Sequence, residues 1–294
     1  MKSYWVFSFK LPGSILKEIE RLFSNFNWNN KMHAWNWRDL CKFKSEGGCG
    51  IRRLIDISQA SGVRLVWRLC TSNSLWAHWI RKHYLQDLHI SQAKASLLDL
   101  ETWKWICSLK SNALPHMLKL PGDGCTTSQL YDRWMHDVPT PLISLMAENT
   151  VSADEHKWAV SDIVHNGQWI LRDQALLPIW DHICLQEVPG NSSAHNRIWD
   201  CTNSGSFNFK SSWDLVRDKD TKYKCFKMLW FPSYSPKMAI CLIRALNGKL
   251  LTRDFLKNIA VADSDTCVLC RTGQEFNTCF SLVLSLHSYG LYVG

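Results

Sequence analysis

The chain has 294 residues, 46% of them hydrophobic and 12% aromatic, which allows about two domains and excludes a disordered chain. Its twelve cysteines occur without an apolar signal segment in residues 1–10, which favours reduced thiols over a disulfide framework. No stretch reaches the roughly 18 apolar residues that a membrane helix requires. We therefore expect an intracellular protein of the nucleus or cytoplasm, without a membrane partner.

The positive charge is unevenly placed. The net charge is +8, and residues 1–138 contain 19 Lys and Arg against 11 Asp and Glu, whereas residues 139–294 contain 15 of each. This asymmetry favours a surface for a polyanion on the amino-terminal half. Solvated Lys and Arg on ordinary helices would give the same sum.

The first predicted element is an amphipathic helix. Residues 10–14 (KLPGS) predict a turn with Ser14 as the helix N-cap. Apolar residues then recur at helical spacing, and residues 27–30 (NWNN) end the pattern. These apolar residues are Ile15, Ile19, Leu22, Phe23 and Phe26. Gly47, Gly48 and Gly50 follow, but no Gly-Lys-Ser/Thr accompanies them, so they predict a turn and not a phosphate-binding loop.

Two further helices are predicted over residues 58–70 and 75–84, with a break at Asn73 and Ser74. Six basic side chains in this region could line a phosphate-facing surface with tryptophans beneath it, and a solvated basic face explains them equally well. They are Arg52, Arg53, Arg64, Arg68, Arg81 and Lys82.

The middle of the chain predicts a hairpin turn at residues 122–124 (GDG) flanked by short strands, with Asp123 as a turn former. Residues 139–141 (PTP) are the best candidate linker. Short helices are expected over residues 160–165 and 176–184. Further on, residues 206–210 alternate as a half-buried strand would, and helices are predicted over residues 211–217 and 237–246.

The last motif is Cys267-Val268-Leu269-Cys270, which lies between turn-forming residues and is followed by Cys279. Two thiols at i and i+3 on a turn supply half of a tetrahedral zinc site. A redox Cys-x-x-Cys is not favoured, because the strand-then-helix setting of such motifs is missing.

Five segments occur in one order: residues 205–215 (GSFNFKSSWDL), 229–232 (LWFP), 236–239 (PKMA), 250–254 (LLTRD) and 267–270 (CVLC). They resemble the zinc-binding module that follows the reverse transcriptase domain in plant LINE-type (non-LTR) retrotransposons. The resemblance implies zinc held by Cys267, Cys270 and Cys279, with His287 or water as the fourth ligand. The sequence departs from the family after the Cys pair, because Cys279 occupies the place of the expected His and Leu284 that of the last Cys.

The likeness extends upstream, through Leu40-Cys41 and Glu46-Gly47-Gly48 to residues 122–124 (GDG) and 131–134 (YDRW). In the family this region lies just downstream of the polymerase palm, so the resemblance implies a thumb and its extension along a template-primer duplex. It predicts a mainly α fold with short β-hairpins (α+β). The expected regions are a basic helical part over residues 1–138, a linker with short helices over 139–198, and a zinc-knuckle-like module over 199–294 that is truncated or divergent after Cys279.

Catalysis is not expected. The palm of a polymerase requires paired metal-binding aspartates, and no Asp-Asp occurs in the sequence. Two hypotheses remain. The first is a non-catalytic fragment of a retrotransposon polyprotein that binds RNA or DNA weakly and holds zinc. The second is a vestigial or protein-interaction helical protein whose cysteines are simply small apolar residues.

Overall fold

The computed structural model describes residues 10–28, 36–86, 88–145, 158–171, 174–190, 196–222, 230, 236–246, 250, 252–258 and 262–266. The chain divides into two compact units, each built from two separate stretches. Unit 1 comprises Met1–Pro12 and Ile55–Arg217, and unit 2 comprises Gly13–Leu54 and Asp218–Gly294. The regional boundaries after residues 138 and 198 stay predictions.

The described residues are mainly helical with a few short strands, as predicted. The helices are α1 (Gly13–Trp28), α2 (Trp37–Leu40), α3 (Leu54–Thr71), α4 (Leu75–Ile80), α5 (Glu101–Ala113), α6 (Trp180–Cys184), α7 (Phe209–Val216), α8 (Pro236–Leu246) and α9 (Arg253–Asn258). The strands are β1 (Met117–Lys119), β2 (Val164–His165), β3 (Gln168–Trp169) and β4 (Arg197–Trp199). No helix within the described ranges combines the length and apolar character needed to cross a membrane.

Helix α3 is the centre of unit 1, and its predicted apolar face is confirmed. Ala60, Val63 and Val66 on this face are completely buried. The helix meets α5 at Gly62, where an added Cβ would lie 2.2 Å from Leu109 Cδ1. A glycine is therefore required for this close approach of the two helices.

Helix α4 begins where the sequence predicted a break. Ser74 is its N-cap and accepts a hydrogen bond from the backbone N–H of Ala77 at 3.4 Å. The helix continues into a single π turn over Arg81–Leu85. Together, α3, α4, α5, β1 and β4 enclose the first hydrophobic cluster of unit 1. Its most deeply buried large residues are Leu69, Ile80, Trp103, Ile106, Met117 and Trp199.

A second cluster of unit 1 lies around the predicted linker. Val138 and Leu142, on either side of residues 139–141, are both buried in it. Its other buried members come from the 130s and from the segments around β2 and α6. They are Leu130, Tyr131, Trp134, Met135, Val160, Ile163, Leu176, Ile179 and Ile183. Residues 176–184 are helical as predicted, as a 3₁₀ segment (Gln174–Ile179) followed by α6.

The predicted hairpin at residues 122–124 is wrong. The turn itself is present, since Gly122 and Gly124 have φ of 59° and 81°. However, β1 pairs in antiparallel fashion with the distant β4, with Met117 opposite Trp199, and meets the segment just after the turn in one isolated parallel bridge between Leu118 and Arg133. This pairing buries Met117 and Trp199 in the first cluster, and that burial outweighs the shorter loop of a local hairpin.

The short helix predicted over residues 160–165 is confirmed for its first four residues, and a hairpin begins where it ends. That stretch is a 3₁₀ turn (Val160–Ile163) followed by β2, which pairs with β3. The two turn residues, Asn166 and Gly167, have φ of 52° and 74°. Positive φ at both positions is the condition that an Asn-Gly hairpin turn satisfies without strain.

The predicted strand over residues 206–210 is also wrong. Asn208 is the N-cap of α7, and its side-chain oxygen accepts a hydrogen bond from the backbone N–H of Ser211 at 2.7 Å. The cap starts a helix at Phe209 and ends the alternating pattern. Phe207 stacks on Trp67, with ring centroids 5.6 Å apart.

In unit 2, α1 is the predicted amphipathic helix, but it begins at Gly13, so Ser14 is not its N-cap. Leu16, Glu20 and Ser24 are its buried residues. Much of the predicted apolar stripe is exposed, and Phe26 retains 89% of its accessible surface. A separate small cluster buries Leu40 of α2 against Ile243 of α8. Helix α8 confirms the prediction over residues 237–246.

Candidate nucleic-acid interface and metal ligands

Three of the six predicted basic residues are exposed in unit 1. Arg64 and Arg68 lie one turn apart on the outer face of α3, and Lys82 lies in the π turn. The guanidinium carbon of Arg68 lies 5.8 Å from the centre of the Trp76 ring. These side chains can reach a phosphate without breaking a buried contact.

Arg81 has a different role in unit 1. Its guanidinium donates to the carbonyl oxygens of Leu69 and Ser72 at 2.8 Å and 3.0 Å. These carbonyls lie at the carboxyl end of α3, where backbone acceptors have no partner within the helix. Arg81 therefore closes α3 and is poorly placed to contact a phosphate.

The remaining two predicted residues, Arg52 and Arg53, belong to unit 2. Arg52 is exposed. Arg53 is largely covered and lies 3.2 Å from a carboxylate oxygen of Asp218 and 3.8 Å from one of Glu20. Only Arg52, Arg64, Arg68 and Lys82 of the six are thus presented as exposed cations, and their contact with nucleic acid stays a prediction.

Unit 2 also contains an aromatic pocket that sequence reasoning did not identify. The Lys44 ammonium lies 4.1 Å from the centre of the Trp230 ring. The pocket has a volume of about 580 Å³ and is lined by Phe43, Lys44, Ser45, Cys49, Gly50 and Trp230. The chain turns here through Gly47 and Gly50, with φ of 84° and 74°. The glycine-rich run was a signal for this turn, but nothing in the sequence paired it with Trp230.

Two features describe the chemistry of this pocket. Burial raises the pKa of the Cys49 thiol, although the nearby Lys44 charge opposes the shift, so the thiol is protonated at neutral pH. Trp230 Nε1 is buried, and among the described residues it has no hydrogen-bond partner. An aromatic ring beside an ammonium group suits a base that stacks and a phosphate that pairs with the cation.

The segment over residues 131–134, which the resemblance singled out, contains a buried charge centre in unit 1. Arg197 and His89 Nε2 contact Asp132 Oδ1 at 2.8 Å and 3.2 Å. Lys119 Nζ and the backbone N–H of Ser128 contact Oδ2 at 3.1 Å and 3.0 Å. Both carboxylate oxygens are occupied, so Asp132 is a structural anion that joins β1, β4 and the turn between them.

The electrostatics of Asp132 reflect these partners. Burial alone would raise the pKa of this carboxyl, but Arg197, His89 and Lys119 together hold it well below its usual range. Burial lowers the pKa of Lys119, and the charge of Asp132 offsets this only in part. Asp132 stays ionised, because the side chains of Arg197, His89 and Lys119 all contact its carboxylate and favour the charged form.

The four predicted zinc ligands, Cys267, Cys270, Cys279 and His287, lie outside the described residues. Their donor chemistry fits zinc, because thiolate sulfur and imidazole nitrogen are its usual ligands in structural sites. The order of these four residues in the sequence is the basis for assigning them.

A second group of side chains that could hold a metal ion lies in unit 1 and was missed by sequence reasoning. His116, Asp200 and Cys201 each offer one ligand atom, and these atoms lie within 4.8 Å of one another. His116 Nδ1 is 2.9 Å and Cys201 Sγ is 3.6 Å from Asp200 Oδ1. His116 and Asp200 are 84 residues apart in sequence, and the pairing of β1 with β4 brings them together, so no local motif could reveal them.

Comparison with known proteins gives one family match. Residues 207–282 match the family described as zinc-binding in reverse transcriptase. This part of the chain is therefore similar to the zinc-binding domain of reverse transcriptases. The matched range contains the pocket residue Trp230 and the predicted ligands Cys267, Cys270 and Cys279. This match confirms the resemblance drawn from the five ordered segments, and the matched family is a zinc-binding and not a catalytic one.

Two plant proteins are similar to the chain, both from Arabidopsis thaliana. One is named "Putative ribonuclease H protein" and is 23% identical over 297 residues, which is 90% of this chain and 45% of that protein. The other is named "Uncharacterized mitochondrial protein" and is 26% identical over 146 residues, which is 47% of this chain and 94% of that protein. The chain thus spans less than half of the first relative. No solved structure matches it.

Proposed function

We propose that this chain is a non-catalytic part of a retrotransposon reverse transcriptase polyprotein that binds single-stranded RNA or DNA and holds one zinc ion. The observation that carries the proposal is the match of residues 207–282 to the reverse transcriptase zinc-binding family. Zinc would be bound by the thiolates of Cys267, Cys270 and Cys279, with His287 or water as the fourth ligand. The zinc would fix the fold of this segment.

The charge distribution supports the nucleic-acid part of the proposal. The whole excess of +8 lies in residues 1–138, and Arg64, Arg68 and Lys82 are exposed there. Binding of phosphates by Lys and Arg releases counterions, so such binding is weak and sensitive to salt. Because phosphates are the same at every position of the strand, we expect little sequence preference.

The aromatic pocket of unit 2 supports single-stranded over duplex nucleic acid. Bases must be unstacked to lie on a tryptophan ring, and they are so only in single strands. Trp230 supplies the ring and Lys44 supplies the adjacent cation. Stacking on one aromatic side chain contributes about 1–3 kcal/mol per base. Trp230→Ala should therefore weaken binding about tenfold or more.

The direct experiment is fluorescence anisotropy of a labelled single-stranded RNA with the full chain over a series of salt concentrations. The triple substitution Arg64→Ala, Arg68→Ala and Lys82→Ala should weaken binding. It should also reduce the slope of log K against log[salt] by about 0.7 for each phosphate that the variant no longer neutralises. Lys94→Ala is the matched control, since Lys94 is exposed in unit 1 outside this surface. No binding at low salt would contradict the proposal.

Zinc is tested separately. The chain purified under reducing conditions should contain zinc that Cys267→Ser removes, and its stability should fall with the metal. An unchanged zinc content and an unchanged melting temperature in Cys267→Ser would exclude these ligands.

The alternative, a helical protein-interaction product without metal or nucleic acid, is favoured by one observation. Ile15, Leu22, Phe23 and Phe26 of α1 are exposed in unit 2. Substitution of Leu22 and Phe26 by Gln should leave RNA binding unchanged if our main proposal is correct. The alternative gains if the chain binds neither zinc nor RNA while the same substitutions change its state of association.

A further inference from the structure

The ligand atoms of His116, Asp200 and Cys201 lie within 4.8 Å of one another. Ligand atoms around a tetrahedral zinc lie roughly 3.3–3.8 Å from one another, given bond lengths of about 2.0–2.3 Å. Cys201 Sγ and Asp200 Oδ1 are already 3.6 Å apart, and His116 Nδ1 is 2.9 Å from the same oxygen. A small rotation of the imidazole would widen this second distance to the required value.

The backbone holds the three residues in place. His116 ends a 3₁₀ turn (Leu114–His116) directly before β1, and Asp200 and Cys201 directly follow β4. The backbone N–H of Asp200 donates to the carbonyl of His116 at 3.1 Å. Cys201 also packs against the first hydrophobic cluster. The donors are therefore set by the paired strands and not by a loose loop.

Arg133 orients the carboxylate. Its guanidinium binds Asp200 Oδ2 and donates to the carbonyl oxygen of Pro115 at 2.7 Å. Oδ1 is left facing His116 and Cys201. Carboxylate ligands of metals are commonly held in this way by a second hydrogen bond. The guanidinium charge opposes a metal cation at this distance, so we expect weaker binding than at a site of three thiolates.

We propose that His116 Nδ1, Asp200 Oδ1 and Cys201 Sγ bind a zinc ion, with water as the fourth ligand. One thiol, one imidazole and one carboxylate suit zinc better than Mg²⁺ or Ca²⁺, which prefer oxygen ligands alone. On binding, Cys201 releases its thiol proton to solvent, and His116 binds as the neutral tautomer with its proton on Nε2, so that a proton initially on Nδ1 is exchanged through solvent to Nε2. No electron transfer is involved. This site is independent of the family's site near the carboxyl terminus, and the chain would then hold two zinc ions.

The test uses cobalt as a spectroscopic probe for zinc. In the full chain, Cys267→Ser, Cys270→Ser and Cys279→Ser together remove the thiols of the family site. This triple-serine variant should still bind one equivalent of Co²⁺ and show a thiolate-to-cobalt charge-transfer band. Adding Cys201→Ser should abolish the band. Adding Cys184→Ser, which changes an exposed thiol on α6, should leave it unchanged.

A second variant distinguishes loss of the metal site from loss of the fold. His116 is partly exposed, and His116→Gln in the triple-serine background should weaken Co²⁺ binding by at least about tenfold while the circular dichroism spectrum is retained. The inference is overturned if the triple-serine variant binds no cobalt, or if its band survives Cys201→Ser. If the wild-type chain and the triple-serine variant each bind one equivalent, this site stands and the proposed family site fails. If the wild-type chain binds one equivalent that the triple-serine variant loses, only the family site exists.

Discussion

Two carboxylates of this protein have similar partners and opposite surroundings. Asp132 in unit 1 contacts Arg197, Lys119 and His89, and Asp218 in unit 2 contacts Arg38 at 2.8 Å and Arg53 at 3.2 Å. The Asp132 side chain is 2% exposed, whereas that of Asp218 is 51% exposed. The comparison shows that the number of ion pairs does not determine their contribution to stability, because water screens the ion pairs of Asp218 and not those of Asp132.

Burial also changes what the charges do. Around Asp132 each cation has lost its water, so removal of the carboxylate would leave two buried positive charges without compensation. Around Asp218 the exposed Arg38 would simply be rehydrated, and Arg53 would keep its contact with Glu20. The sequence alone gives no sign of this difference, since both regions read as acidic residues among basic ones.

The largest expected effect is that of Asp132→Ala. It should lower the free energy of unfolding by about 3–5 kcal/mol, because Arg197 and Lys119 lose their buried counter-charge. Urea unfolding followed by circular dichroism measures the change. Asp132→Asn, which keeps the shape and some hydrogen bonds, should cost less. An effect of Asp132→Ala no larger than that of Asp218→Ala would show that burial is not the deciding variable.

Acid should remove the same contribution without mutation. The pKa of Asp132 in the folded chain lies below its ordinary value of about 4. Its carboxylate therefore contributes stability that is fully present above that value and is lost as the pH falls towards the folded pKa. Unfolding curves between pH 5 and pH 2 should show a steeper loss for the wild-type chain than for Asp132→Asn. Parallel curves would contradict this assignment.

Lys119→Met should have an intermediate effect, about 1–2 kcal/mol in unfolding free energy. Burial already lowers the pKa of Lys119, so the buried ammonium is a costly group to keep. Asp132 retains Arg197, His89 and Ser128 after the change, but the carbonyl of Thr126 loses its hydrogen bond from Nζ. Thermal unfolding would measure the difference. A destabilisation as large as that of Asp132→Ala would mean that the cation, and not the carboxylate, dominates the cluster.

The smallest expected effect is that of Asp218→Asn, about 0–1 kcal/mol in unfolding free energy. Because the interaction is exposed, the effect should shrink further at high salt concentration. Arg38→Gln serves as the matched variant on the other side of the pair. If Asp218→Asn destabilises the chain strongly and independently of salt, the ion pairs of Asp218 contribute more to the free energy of unfolding than their exposure implies.

Local signals in the sequence predicted the helices well. The spacing of apolar residues located α3, and Ser74 marked the start of α4. Two errors missed local signals, which are the Asn208 cap and the Asn166-Gly167 turn, whereas the error at the first hairpin comes from a partner far away in the sequence. The turn at residues 122–124 was predicted correctly, but Trp199 became the partner of Met117 because burial of both residues favours that pairing. The burial of Glu20 on α1 likewise depends on residues outside the helix.

The candidate sites divide in the same way. The Cys-x-x-Cys and the ordered segments were visible because they are contiguous, and the family match confirmed the resemblance. The pocket beside Trp230 and the group around Asp200 join residues that are far apart in the sequence. Among the predicted basic residues, Arg81 shows that composition alone cannot separate a phosphate-binding arginine from a structural one. Its guanidinium caps the end of α3, and only the structure reveals this contact.

The pairing of β1 with β4 has a practical consequence for dissecting the molecule. Trp199 and Arg197 belong to the same short strand, yet they complete a core and a charge centre whose other members mostly precede residue 138. A recombinant fragment that ends at residues 139–141 would keep β1 and the cluster that β4 packs against, but it would lack β4 itself. We expect such a piece to precipitate on expression. Supplying a synthetic peptide with the sequence of β4 and its flanks should rescue it.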